Sequence, residues 1–274
     1  MIFHFKEMIP ISTYVMSDIH GCYDDMMQML KQIEFSTKDT LILAGDYIDR
    51  GPKSYEMLQW IVKVPDNVKL LKGNHEEEFA QNVKLMNEFL SQNNLNKDSN
   101  KDTKLIYEFL KQLSDRKENA GMLFDYYGTI KELIEIKQVT LSKLNVWVVC
   151  IENMEYYLKC RINGRQFVIV HAGYTDSIEE DMDDSYDSLE EFYLYARDDA
   201  YIFGGIRHGI VVAGHTPTTL EEELPYNDGN VYQAYDKDMD CKFYDIDCGC
   251  ASRGKIPNAK LACIRLDDEK IFYI

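Results

Sequence analysis

The chain has 274 residues, 45% of them hydrophobic and 28% charged, with 30 Lys plus Arg against 47 Asp plus Glu and a formal charge of −17. This composition is globular and the chain is long enough for a substantial core, which excludes a disordered, collagen-like or disulfide-scaffold protein. The charge excludes a chain built to grip nucleic acid or an anionic membrane, both of which need a basic surface, and at first sight it also speaks against phosphate chemistry.

Apolar, β-branched and aromatic runs predict strands over 11–16, 40–43, 68–71, 167–170, 210–213 and 243–246. After the first strand, Met26, Met29, Leu30 and Ile33 form one stripe of a helix over 23–34. Tyr55, Leu58, Ile61 and Val62 do the same over 53–63. Strand alternating with helix predicts α/β layering in the first half. The region 79–145 reads as a mostly helical insertion or cap, with helices expected at 76–90, 103–114 and 129–137. Within it, 91–103 is rich in Asn, Ser, Lys and Asp and predicts an exposed, mobile loop. The remainder returns to strands and turns, without internal repeats, so a single domain over 1–274 is expected. Cys22, Cys150, Cys160, Cys241, Cys248, Cys250 and Cys263 are odd in number and contain no CxxC pair, which predicts free thiols. No uninterrupted apolar run reaches the roughly 7–15 residues of a secretory signal or the ~18 of a membrane span, so a soluble, cytoplasmic protein is expected.

Each predicted strand runs into a cluster of polar residues able to hold a metal. Asp18-Ile19-His20-Gly21 follows the first, Gly45-Asp46-Tyr47-Ile48-Asp49-Arg50-Gly51 the second and Gly73-Asn74-His75-Glu76 the third. His171, Gly214-His215 and Asp247 follow the last three. Ligand sites in α/β sheets gather at the carboxyl ends of strands, so six such ends point to one site. Asp18, His20, Asp46, Asn74, His171 and His215 mix carboxylate, amide and imidazole donors, which suits Mn, Fe or Zn better than Ca. Six donors are too many for one tetrahedral ion and fit two ions sharing a carboxylate, an arrangement suited to phosphoryl transfer. Four of the six histidines fall in these motifs, leaving His4 and His208 as ordinary surface or packing residues.

In this order the motifs resemble the phosphoprotein phosphatase (PPP) group of calcineurin-like metallophosphoesterases, and the bacterial and phage serine/threonine phosphatases in particular. The likeness covers roughly 11–78 and 166–274, including Asp247-Cys248-Gly249-Cys250-Ala251, and is weak across 79–145. It implies an α/β fold, a two-sheet β-sandwich flanked by helices, with the metals at the sheet edge. It further implies that Asp18 and His20 hold one divalent metal, that Asp46 bridges, and that Asn74, His171 and His215 hold the second, with Mn2+ favoured and Fe or Zn possible. His75 would be the general acid, oriented by Asp49, while Arg50 and Arg197 would bind the phosphate. The reaction implied is in-line attack of a metal-bridging hydroxide on a phosphomonoester of a phosphoprotein or phosphopeptide. A symmetrical diadenosine tetraphosphatase-like nucleotide hydrolase is the alternative within enzymes, and a catalytically inactive metal-binding scaffold the alternative outside them. Metals would supply the positive charge that the composition lacks. Most of the acidic excess lies after residue 146, and its densest run is 176–191, which suggests a preference for basic residues around the phosphate.

Overall fold

Alternating side chains on each central strand are all apolar, so these strands bury both faces, and the chain answers with four layers. The structure, a computed structural model, describes residues 11–116, 123–176, 186–198, 200, 204–220 and 227–274. Two five-stranded sheets lie face to face. The first has the order β10-β9-β1-β2-β3, built from β1 (Thr13–Met16), β2 (Thr40–Leu43), β3 (Val68–Leu70), β9 (Ala262–Arg265) and β10 (Lys270–Tyr273). The second has the order β4-β5-β6-β8-β7, from β4 (Tyr157–Ile162), β5 (Arg165–Val170), β6 (Gly209–Ala213), β7 (Tyr232–Asp236) and β8 (Cys241–Asp245). β1, β2 and β3 are parallel, as are β5, β6 and β8, and antiparallel strands close the edges.

The period of two assigns the faces. Val15, Ile42 and Ile264 of the first sheet pack with Phe167, Ile169, Val212 and Tyr244 of the second in one buried cluster. The intervening residues Tyr14, Met16, Leu41 and Leu43 point outward and are covered by helices α1 (Tyr23–Gln32) and α2 (Ser54–Ile61) through Met26, Met29, Met57 and Leu58. On the far side Val168, Val170 and Val211 are covered by Phe192 and Tyr193 of α7 (Leu189–Tyr195).

The insertion comprises α3 (Asn74–Gln92), α4 (Asn100–Ser114), α5 (Thr129–Glu135) and α6 (Leu141–Glu152). α6 lies beyond the three helices that the sequence predicts for this region. Its Leu141, Leu144, Trp147, Val148 and Ile151 are buried, and it packs along α3, so tertiary burial overrides the weak helix propensity of its valines. The stretch expected to be a loop is shorter, because α3 and α4 extend into it. The remaining turn is exposed yet tied down: Asn96 N–H donates to Asp102, Asp102 N–H to the Ser99 hydroxyl that caps α4, and Ser142 N–H to the Lys97 carbonyl. Most of the acidic run 176–191 lies outside the described residues. Among those described, no helix is long and apolar enough to cross a membrane.

Candidate active site

Parallel strands in each sheet deliver their carboxyl ends to one edge, and the polar clusters read from the sequence meet there. Asp18 and His20 leave β1, Asp46 and Asp49 leave β2, and Asn74 and His75 open α3 just past β3. His171 follows β5, His215 follows β6 and Asp247 follows β8. Space at this edge is tight. Gly45 has φ +93°, and a Cβ there would sit 2.6 Å from the Gly73 Cα. Asp18, His20, Asp46, Asp49, Arg50 and His215 all adopt left-handed backbone, which costs a non-glycine residue roughly 1–3 kcal/mol. The folded sheets hold that strain where it aims side chains inward.

Hydrogen bonds fix the ring tautomers. His20 Nδ1 must donate to the Ile48 carbonyl at 2.8 Å, and His171 Nδ1 to the Ala44 carbonyl at 2.9 Å. Each therefore turns a bare Nε2 toward the centre, the orientation that metal-ligating imidazoles take. The Asp46 carboxylate stands between two groups. Its Oδ2 lies 3.4 Å from His20 Nε2 and 3.6 Å from His75 Nε2, and its Oδ1 lies 3.4 Å from His171 Nε2. Asn74 turns Oδ1 inward, 2.9 Å from His171 Nε2 and 3.1 Å from His215 Nδ1, while its amide bonds Glu78. Asp18 accepts the His215 N–H through Oδ2 at 3.1 Å and leaves Oδ1 buried without a partner.

Glu76, wholly buried, braces this geometry by accepting the backbone N–H groups of Asp46, Tyr47 and Gly73 at 2.8, 2.9 and 3.2 Å. Burial, followed by the Asp46 charge, pushes Glu76 up to about 8 against those hydrogen bonds. Burial likewise raises Asp46 well above the carboxylate range, with Asp18 as the next cause. Asp247 is raised well above it for the same two reasons. His20 and His215 are driven well down, first by burial. Carboxylates crowded into a dry site beside imidazoles pushed toward neutrality are what a bound cation would relieve.

A second arrangement adjoins the first. His75 Nδ1 is 2.6 Å from Asp49 Oδ2. Asp49 is held by the Thr129 hydroxyl, and its own N–H donates to Ser54 Oγ at 3.0 Å. Burial raises Asp49 to about 6, and burial with the charges of Arg50 and His171 lowers His75 to about 2. The Tyr127 ring lies 4.5 Å from the His75 ring, and the Arg50 guanidinium sits 5.4 Å from the Tyr127 ring centroid with Nη1 3.0 Å from His20 Nε2. Arg197, half-buried two residues past α7, lies near enough for its charge to act on His215, Asp245 and Asp247.

A family model described as calcineurin-like phosphoesterase matches residues 11–250. The chain belongs to that family. Within this phosphoesterase, 67 residues are 46% identical to the symmetrical bis(5'-nucleosyl)-tetraphosphatase of Klebsiella pneumoniae subsp. pneumoniae, and 46% identical to that of Buchnera aphidicola subsp. Baizongia pistaciae. Each match covers 24% of this chain and 24% of the relative, so the chain spans about a quarter of the length of the curated relatives it matches. Among solved structures, a putative diadenosine tetraphosphatase is similar with TM-score 0.53 at 16% identity, over 97% of this chain and 94% of that one. A protein serine/threonine phosphatase from Saccharomyces cerevisiae is similar with TM-score 0.52 at 14% identity, over 98% and 80%. At such identities these two likenesses are of fold.

The phosphoesterase family implies two divalent metals, and the residues present fit them. Two clusters, His20–Asp46–His75 and Asp46–His171–His215, each place their donor atoms within 4.8 Å of one another and share Asp46. The unpartnered Asp18 Oδ1 and His75 Nε2 lie at the same place. Asp18, His20, Asp46, Asp49, Arg50, Asn74, His75, His171 and His215 thus lie together at one sheet edge, and Arg197 is linked to them by its charge alone. Four contributors went unassigned. Asp247, with Oδ2 buried and unpartnered, had a signal in its place just past a strand. Glu76 stands in the Gly-Asn-His-Glu motif but acts through backbone contacts that no pattern displays. Thr129 and Tyr127 come from the insertion, far away in sequence, and only the fold brings them in.

Proposed function

We propose that this chain is a dinuclear-metal phosphomonoesterase whose substrates are phosphoserine and phosphothreonine in proteins. Asp18 and His20 would hold one ion, Asn74, His171 and His215 the other, with Asp46 between them. Mn2+ fits this mixed nitrogen and oxygen set, and Fe or Zn also do. Bound there, two divalent ions supply a water-derived nucleophile at neutral pH and neutralise charge on the phosphate.

The protein's own part is clearer in its leaving-group machinery. Arg50 would fork onto phosphate oxygens from the mouth of the site, and Arg197, just past α7, would add a second positive charge. His75 holds a proton at Nδ1 toward Asp49 and presents Nε2 to the centre. Burial first and the Arg50 charge second drive His75 low, and an anionic phosphate paired with Arg50 would offset the second of these. A proton carried at Nε2 would face the departing oxygen, which is the general-acid role proposed for His75.

The 2.6 Å His75–Asp49 hydrogen bond carries the choice of substrate. A serine or threonine alkoxide is a poor leaving group and needs a proton, whereas a nucleotide leaves from a phosphoanhydride without one. A buried, braced acid pair is of most use for the first kind of reaction. The second reading, hydrolysis of dinucleoside tetraphosphates, is favoured by the curated relatives and by the half-exposed Tyr127 and exposed Tyr126, aromatic faces beside Arg50 on which a base could stack. Purified enzyme loaded with Mn2+ and offered phosphoserine and phosphothreonine peptides beside diadenosine tetraphosphate decides between them. Phosphate release from the peptides, with a far lower kcat/KM on the dinucleotide, is expected. The reverse order would establish the second reading.

A further inference from the structure

We propose a third cation site, separate from the centre above, in which Cys22 Sγ, Cys250 Sγ and the Asp25 carboxylate bind a thiophilic divalent ion of the Zn2+ class. The three ligand atoms lie within 4.8 Å of one another, and none belongs to the donor set around Asp46. Cys22 opens α1 and Asp25 lies three residues on, so both face the same side of the first turn. Cys250 comes from the 3-10 turn Cys250–Ser252 that follows β8. Both thiols are buried and hydrogen-bonded to each other.

A cavity of about 470 Å³ is lined by all three ligands together with Arg50 and Arg253, so an ion could enter and a water could complete a four-coordinate shell. Zinc–sulfur bonds of about 2.3 Å in a tetrahedron bring two sulfurs to roughly 3.8 Å, a closure of no more than about 1 Å from the present spacing. Charge is balanced as well. Two thiolates, one carboxylate and a dication leave one net negative charge, and Arg253 Nη2 already donates to Asp25 Oδ1 at 2.5 Å, leaving the other oxygen for the ion. Soft sulfur donors separate this site from the imidazole and carboxylate centre, so the two would select different metals. An ion here would clasp the segment carrying Asp18 and His20 to the turn that follows Asp247. The site stands whether or not the substrate reading above is right.

Cobalt reads the proposal directly, because sulfur-to-cobalt charge transfer absorbs in the near ultraviolet and the catalytic donors include no sulfur. Co2+ titrated into the full chain should produce that band. It should persist in Asp46→Asn and Cys248→Ser and be lost in Cys22→Ser and Cys250→Ser, with folding of each variant checked by circular dichroism. Should the cysteine variants fail to fold, diffraction at the zinc absorption edge from Zn2+-soaked wild-type crystals should show a peak bonded to both sulfurs. Absence of the band in folded wild-type protein, its survival in both cysteine variants, or no zinc peak at the sulfurs would overturn the site.

Discussion

Asp46 is where two donor clusters converge, each of its oxygens facing a different imidazole. Asp46→Asn should therefore lower affinity for both ions together, by at least the 10–100-fold typical of losing an outer partner alone. Metal analysis that found one ion lost and the other held as in wild type would remove the bridging role. His75→Asn should lower kcat on phosphoserine peptides by about 10²–10⁴, the usual worth of a general acid, with metal content intact. The loss should be much smaller on p-nitrophenyl phosphate, whose phenolate leaves without a proton. Equal losses on both substrates would assign His75 to binding instead. Site residues were legible because they are adjacent in short motifs: Asp18 with His20, Asp46 with Asp49 and Arg50, Asn74 with His75. Arg197 was marked only by the family likeness, and its charge acts on His215 and Asp247. Thr129 and Tyr127 were not legible, because each is a common residue whose role exists only through contact with Asp49 or His75.

The strands and helices follow local rules until the insertion. The six predicted strands all form, within a few residues at each end, because an apolar alternation buried on both faces leaves little choice. α6 escaped notice because its exposed Val146 and Val149 hide the stripe that Leu141, Leu144, Trp147 and Ile151 make against α3. That burial gives it weight. Trp147 is fully buried edge-on to Tyr55, and Trp147→Ala should destabilise the fold by about 3–5 kcal/mol in chemical denaturation. A loss under ~1 kcal/mol would mean that α6 is loosely docked. At the turn after β2, Gly45→Ala would press a methyl onto the Gly73 backbone in a left-handed conformation, so loss of metal binding as well as stability is expected.

At the scale of the whole molecule, a second polar cluster besides the active site joins the two sheets. Glu269, between β9 and β10 of the first sheet, bonds Lys242 and Tyr244 of β8 and Arg165 of β5 in the second. Burial alone would raise Glu269, but the bonds from Lys242 and Tyr244 outweigh it and hold it below its ordinary value. A carboxylate depressed on folding contributes stability above its unfolded pKa of about 4.3 and loses it as pH falls through the lower folded value. Thermal unfolding of wild type should therefore fall more steeply below about pH 4.3 than that of Glu269→Gln. Parallel curves would show that the cluster carries no such linkage.

The charge of −17 bears differently on surface and centre. It does not exclude phosphate chemistry, because the acids at the sheet edge form a cradle suited to cations. Anomalous diffraction from crystals grown with Mn2+ tests that cradle most directly. Two manganese peaks should flank the Asp46 carboxylate, one against His20 and Asp18, the other against Asn74, His171 and His215. A single peak, or two peaks that leave Asp46 on one side only, would contradict a shared dinuclear centre.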